Sequence, residues 1–180
     1  MRGIGAALVA AGLAALPAAA MEVKTTTFKP NGMLDIAQVF KGFGCEGGNR
    51  SPALSWSGAP AATKSFAVTA YDPDAPTGSG WWHWLVINIP ASVTALAENA
   101  GSGAGLPAGA VQTRTDFGAA GYGGPCPPKG HGTHRYIFTV HALSAEKIEV
   151  PAEASAALVG YMLNANILAK ASVTGEYRRD

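Results

Sequence analysis

Residues 65–89 read SFAVTAYDPDAPTGSGWWHWLVINI. Ser65–Asp72 is rich in β-branched and aromatic residues, with Phe66, Val68 and Ala70 on one face. Trp82–Ile89 is almost wholly apolar, as in a strand covered on both sides. The intervening DPDAPTGSG holds two prolines and two glycines, which end one strand and turn the chain. Because so few residues connect them, the two strands are expected to be close neighbours. Asp72 falls on the same parity as Phe66, Val68 and Ala70. An acid on an apolar face is either paired or functional, unless it caps its own turn. Pro73 and Pro76 fix φ and stiffen the strand exit, so the Asp72 carboxylate is held in place. Asp74 has the stronger case as a turn-capping acid.

Outward from this stretch, His134–Leu143 (HRYIFTVHAL) is a third strong strand. Weaker strand signals lie at Val23–Phe28, Leu54–Ser57, Val111–Thr113 and Ala171–Tyr177. One helix is predicted from Glu153 to Ala169, with Leu158, Met162, Ala165 and Ala169 as its buried stripe and Pro151 before its start. Gly- and Pro-rich loops separate the strands. The fold class is mainly β.

The N-terminus differs from the rest. Met1-Arg2 is followed by an apolar run from Ile4 to Leu16, then Pro17 and three alanines. That is the layout of a secretory signal peptide, and the run is too short to span a bilayer. Residues 1–20 are therefore expected to be a leader, 21–180 one domain, and the product periplasmic or secreted. With Arg2 removed, the 13 Lys+Arg fall level with the 12 Asp+Glu. No long basic run is present to offset phosphate charge, which argues against a nucleic-acid partner. No later stretch is apolar enough to cross a membrane. The two cysteines, Cys45 and Cys126, are an isolated pair in a chain bound for an oxidising compartment, and a disulfide is expected.

A second polar block runs GYGGPCPPKGHGTHRY from Gly121 to Tyr136. A rigid loop leads into the third strand, where His134 and Tyr136, two apart, point to one face. Arg135 points to the other face and is expected in a structural ion pair. Together the two blocks resemble the paired signatures of the phosphatidylethanolamine-binding proteins: Asp-Pro-Asp-Ala-Pro with its following His, then Pro-Pro-x-Gly leading to His-Arg-Tyr. The wider text is similar to the bacterial Raf-kinase-inhibitor-like branch, of YbhB/YbcL type. Gly42–Asn49, Cys126 and Leu158–Asn166 resemble its exported members. The resemblance implies a β-sandwich-like fold with a large antiparallel sheet and one or two peripheral helices. It also implies a small cavity for phosphate-like anions and phospholipid headgroups, lined by Asp72, Pro76, Trp81, His83, Pro128, His134 and Tyr136. The chain departs from the eukaryotic pattern. Trp82 stands where many members carry a second His, the loop before Trp81 is short, and little tail follows the last strand. Kinase inhibition is therefore not carried over.

The residues themselves leave three functions open. The first is a binding or regulatory module without catalysis or cofactor. No Gly-x-Ser-x-Gly occurs, while two imidazoles, a phenol and loop N–H groups offer donors to an anion, best when the imidazoles are protonated. Asp72 would then either orient a histidine or meet the ammonium of a phosphoethanolamine-type headgroup. The second is a metal-dependent enzyme using His83, His131, His134 and Asp72. The third is an interaction factor with a protein partner at an aromatic rim formed by Trp81 and Trp82, or with a second copy of the chain as a homodimer.

Overall fold

The computed structural model describes residues 20–180, so the leader reading falls almost entirely outside the described residues. In chain order the strands are β1 (Glu22–Lys24), β2 (Gly32–Met33), β3 (Lys41–Gly42), β4 (Cys45–Glu46), β5 (Leu54–Ser57), β6 (Ser65–Asp72), β7 (Trp81–Pro90), β8 (Ala95–Leu96), β9 (Val111–Gln112) and β10 (His134–Leu143). Helix α1 (Ala156–Ala165) and strand β11 (Ile167–Tyr177) follow. Among the described residues, no helix is long and apolar enough to cross a membrane.

The large sheet runs β2-β11-β10-β6-β7-β9, and a smaller one runs β1-β5-β8. The three strong strands of the sequence sit side by side as β10-β6-β7, all antiparallel. The only parallel pairing among the described strands joins β2 to β11. Both faces of the large sheet are covered. One packs Phe66, Val68, Trp84, Val86, Phe138 and Val140 against Leu54 and Trp56 of β5 and Leu96 of β8. The other packs Ala67, Leu85, Ile87 and Leu143 against Ala156, Val159 and Leu163 of α1. Double coverage explains why β7 reads as a continuous apolar run rather than an alternation.

The register between β6 and β7 shifts twice. Phe66 pairs with Ile89 but Val68 with Val86, which leaves Asn88 at φ 60° in the bulge. The Asn88 amide uses the kink to bond both backbone groups of Ile148, donating to its O (3.2 Å) and accepting from its N–H (2.7 Å). Nearer the loop, Ala70 pairs with Trp84 but Tyr71 with Trp82, so His83 is the extra residue.

The C-terminal region differs from its sequence reading. The helix spans only Ala156–Ala165, because Ser155 caps its start by accepting from Leu158 N–H (3.2 Å). Asn166 ends it and hands the chain to β11, where Ile167 pairs with Leu143. Ile167–Ala169, predicted helical, are strand, since ten residues of β10 need a partner of matching length. The buried stripe is Ala156, Val159 and Leu163, and Leu158 is exposed. β11 is also longer than the predicted Ala171–Tyr177, whereas the N-terminal signal at Val23–Phe28 is reduced to β1.

Cys45 and Cys126 are joined in a disulfide that closes a loop with a sequence separation of 81. It ties β4 to the proline-rich loop before β10. Closing a loop of this size stabilises by roughly 4 kcal/mol through the unfolded chain. The Cys45→Ser/Cys126→Ser protein should therefore unfold at lower denaturant by about that free energy. Native wild-type protein should contain no alkylatable thiol. Two free thiols, or an unchanged midpoint, would contradict the pairing.

Candidate functional site

Asp72 ends β6 and His134 begins β10, and the two are joined by a 2.7 Å contact between Asp72 Oδ2 and His134 Nδ1, with both side chains almost fully buried. A carboxylate only accepts, so Nδ1 carries the proton. The other oxygen, Oδ1, accepts the Asp74 backbone N–H at 2.8 Å. Asp72 is thus both turn former and histidine orienter. Asp74 does not cap the turn. Its carboxylate takes the Arg135 guanidinium in two bonds of 2.7 and 2.9 Å and the Arg135 backbone N–H at 2.9 Å. These hydrogen bonds hold the Asp74 carboxyl down to about 2. The two acids of the first block therefore grip the adjacent residues His134 and Arg135 of the second. Arg135 stays on the exposed side, as its parity implies.

His83 is held from one side by Gly123. The Gly123 N–H donates to the His83 backbone O (2.9 Å), and His83 Nδ1–H donates to the Gly123 O (2.6 Å). A carbonyl only accepts, which fixes the Nδ1–H tautomer and leaves Nε2 as a lone pair. Burial pushes the imidazole down to about 4, so it is neutral at ordinary pH. The bulge in β7 turns this ring to the Asp72 face, where it packs edge-on against Tyr136 at 5.1 Å. Gly123 has no substitute here, since a Cβ would run into the Phe117 ring that flanks His83.

Asp72, Pro76, Trp81, His83, Pro128, His134 and Tyr136 all line one cavity of about 210 Å³. Ala75, Thr77, Phe43, Phe117, Cys126 and Pro127 complete its wall. Phe117 meets the rings of Trp81 (5.5 Å) and Phe43 (5.9 Å), so one wall is aromatic. Trp82 faces away, packed on Tyr71 at 4.7 Å. Tyr136 is 2 % exposed and its hydroxyl has no hydrogen-bond partner. Burial also raises its pKa, keeping the phenol protonated and a donor.

The metal set does not form. His134 gives Nδ1 to Asp72 and meets His131 Nδ1 at 2.7 Å through Nε2, so neither ring nitrogen is free. Among the described residues, no group of three or more His, Cys, Asp or Glu is placed to hold a metal ion.

The family model for phosphatidylethanolamine-binding protein matches residues 24–178. The chain belongs to the phosphatidylethanolamine-binding protein family. Its members bind small ligands and are in general non-catalytic. It is 61% identical to the UPF0098 protein YbcL of Escherichia coli over 162 residues, 89% of this chain and 88% of that protein. Identity to YbhB of the same organism is 52% over 158 residues, 87% of this chain and 99% of that one. The crystal structure of Escherichia coli YbcL superposes with a TM-score of 0.87 at 59% identity, covering 90% of this chain and 100% of that one.

Of the aromatic wall, Trp81 was visible in the sequence but Phe43 and Phe117 were not. Phe43 and Phe117 lie in loops without periodicity. The signal for them was indirect: Gly123 and Gly124 lie where any side chain would collide with Phe117 or with the backbone of residues 38–40.

The His83 geometry has a pH consequence. The unfolded imidazole takes up a proton near 6.5, the folded one only near 4. Stability is therefore fully present above about pH 6.5 and falls as pH drops toward 4, by on the order of 2–3 kcal/mol from this residue. His141, also pushed down to about 4 by burial, adds in the same direction. Nitrogen-15 spectra at about pH 7 should show His83 as the Nδ1–H tautomer with no titration above about pH 5. A midpoint near 6.5, or a proton on Nε2, would contradict the assignment.

Proposed function

We propose that the chain is an exported, non-catalytic binding protein whose cavity takes a small phosphate monoester or inorganic phosphate as its monoanion. The observation that carries this reading is the pairing of an unpartnered, buried Tyr136 hydroxyl with the neutral His83 ring. The phenol donates to a phosphoryl oxygen, and the Nε2 lone pair accepts from a P–OH. This replaces the expectation of protonated imidazoles. A phosphate monoester has its second pKa near 6 and supplies that proton in the monoanion. A phosphodiester has none to give. It must face the lone pair or protonate a histidine held near 4. The site therefore favours the phosphoethanolamine type of headgroup over an intact phospholipid. The ammonium of phosphoethanolamine is received by the Trp81 and Phe117 rings of the aromatic wall. Export rests on the leader-like first twenty residues and on the disulfide, which suits an oxidising compartment.

A second reading, docking of a protein partner at the cavity mouth, is favoured by one observation. Phe43, on the rim, is 70% exposed.

Calorimetry in a buffer free of competing anions tests the first reading. Affinity for phosphate and phosphoethanolamine should rise as pH falls from about 8 to about 6, following ligand protonation. Sulfate, a dianion throughout, should show no such rise, and glycerophosphoethanolamine, a diester, should bind more weakly than its monoester. Tyr136→Phe should lose about ten-fold or more for every phosphate ligand. Asp72→Asn should weaken phosphate and phosphoethanolamine together, and Trp81→Leu should weaken phosphoethanolamine selectively. Absence of anion binding at about pH 6 would remove this reading and leave the protein-partner reading in front.

A further inference from the structure

A second cavity, of about 290 Å³, lies on the opposite face of the large sheet beneath α1 and shares no residue with the first. Alternation along β10 puts Ile137, Thr139, His141 and Leu143 on this face. Leu143 joins the apolar core under the helix, but Thr139 and His141 do not. Instead the register aligns Thr69, Thr139 and Ser172 across three adjacent strands, a polar row that runs from buried Thr69 through half-buried Thr139 to exposed Ser172. The Thr139 and Ser172 hydroxyls are 2.8 Å apart. His141 is only 8% exposed and contacts Thr69 Oγ1 at 3.1 Å through Nε2, while its Nδ1 is buried without a partner. Lys170 stands opposite His141 in the register, and no Asp or Glu lines the cavity. One wall is the Tyr71–Trp82 ring pair.

Gly160 adds an independent sign. It lies inside α1, where alanine is the better helix former. A Cβ there would meet only the Trp82 ring at 3.7 Å, an ordinary contact. Sterics therefore do not demand glycine, but any longer side chain would fill the cavity that Gly160 lines.

We propose that this cavity is a second binding site, for a small polyhydroxylated carboxylate of the sugar-acid class. The Lys170 ammonium meets the carboxylate, and the hydroxyl row with Asn164 meets the ligand hydroxyls. The Trp82–Tyr71 wall takes the C–H face of the ring, and His141 Nδ1 gains the partner it lacks. A purely apolar ligand would cover the Lys170 ammonium without pairing it. A compact inorganic anion would meet a single cation and no converging N–H groups.

The test is titration of the protein with glucuronate, read by calorimetry and by the His141 ring signals. Saturable binding that shifts those signals is expected. Lys170→Gln should weaken glucuronate about ten-fold or more, as loss of a charge-assisted bond does, and leave binding of neutral glucose unchanged. Gly160→Leu should abolish glucuronate binding with phosphate binding at the first cavity retained. Tyr136→Phe should leave glucuronate binding intact. No saturable shift at His141 in the wild-type protein, a shift insensitive to Lys170→Gln, or loss of glucuronate binding in Tyr136→Phe would each overturn the proposal.

Discussion

The buried contact between Asp72 and His134 is the constraint from which the first site follows. Both side chains are almost wholly withdrawn from water at 2.7 Å. Removing either partner of such a pair leaves an uncompensated buried group and costs about 3–5 kcal/mol. One residue on, Asp74 and Arg135 repeat the grip at the surface. The exit of β6 and the entry of β10 are thereby locked together, although 61 residues separate Asp74 from Arg135. With His134 fixed in ring orientation and tautomer, Tyr136 is carried to the same face two residues later, where it lines the cavity and its buried hydroxyl has no partner.

The rest of the site works by withholding charge. The Asp72 carboxylate is tied to His134 and to its own turn, and the His83 ring is held neutral by burial. What remains toward a ligand is one donor, one acceptor and an aromatic wall. On the proposed reading such a set discriminates by proton inventory rather than by net charge, so that a monoanion able to donate would be taken over a dianion or a diester. The disulfide and the Gly123–Gly124 strip hold the wall in place from outside, through Cys126 and through the space that only glycine leaves.

Much of this was legible in the sequence, and the parts that were not have physical reasons. Strict alternation puts Asp72, His134 and Tyr136 on one sheet face, and the β6–β10 ladder, unshifted up to the Ile137–Tyr71 pair, brings them to one end of it. Alternation alone could not place His83, whose orientation depends on a bulge that appears only when β7 meets β6. The two acids of the first block were distinguishable only through their partners: local turn chemistry favoured Asp74 as the cap, whereas Asp72 both caps the turn and pairs with His134, and Asp74 pairs with Arg135. The helix was overextended because Ile167–Ala169 carry no strand signal of their own. Pairing with the far end of β10 decides them. The polar row on the back of the sheet was hidden for a similar reason, since Thr69, Thr139 and Ser172 become neighbours only through register.

Neutron diffraction from crystals of the phosphate complex grown near pH 7 addresses the central claim directly, because it locates the exchangeable protons. The account predicts a deuteron on the Tyr136 oxygen directed at the phosphate, a deuteron on His83 Nδ1 directed at the Gly123 carbonyl, and a deuteron on the phosphate oxygen that faces His83 Nε2. Deuterons on both His83 nitrogens, with a fully deprotonated phosphate between them and Tyr136, would contradict it.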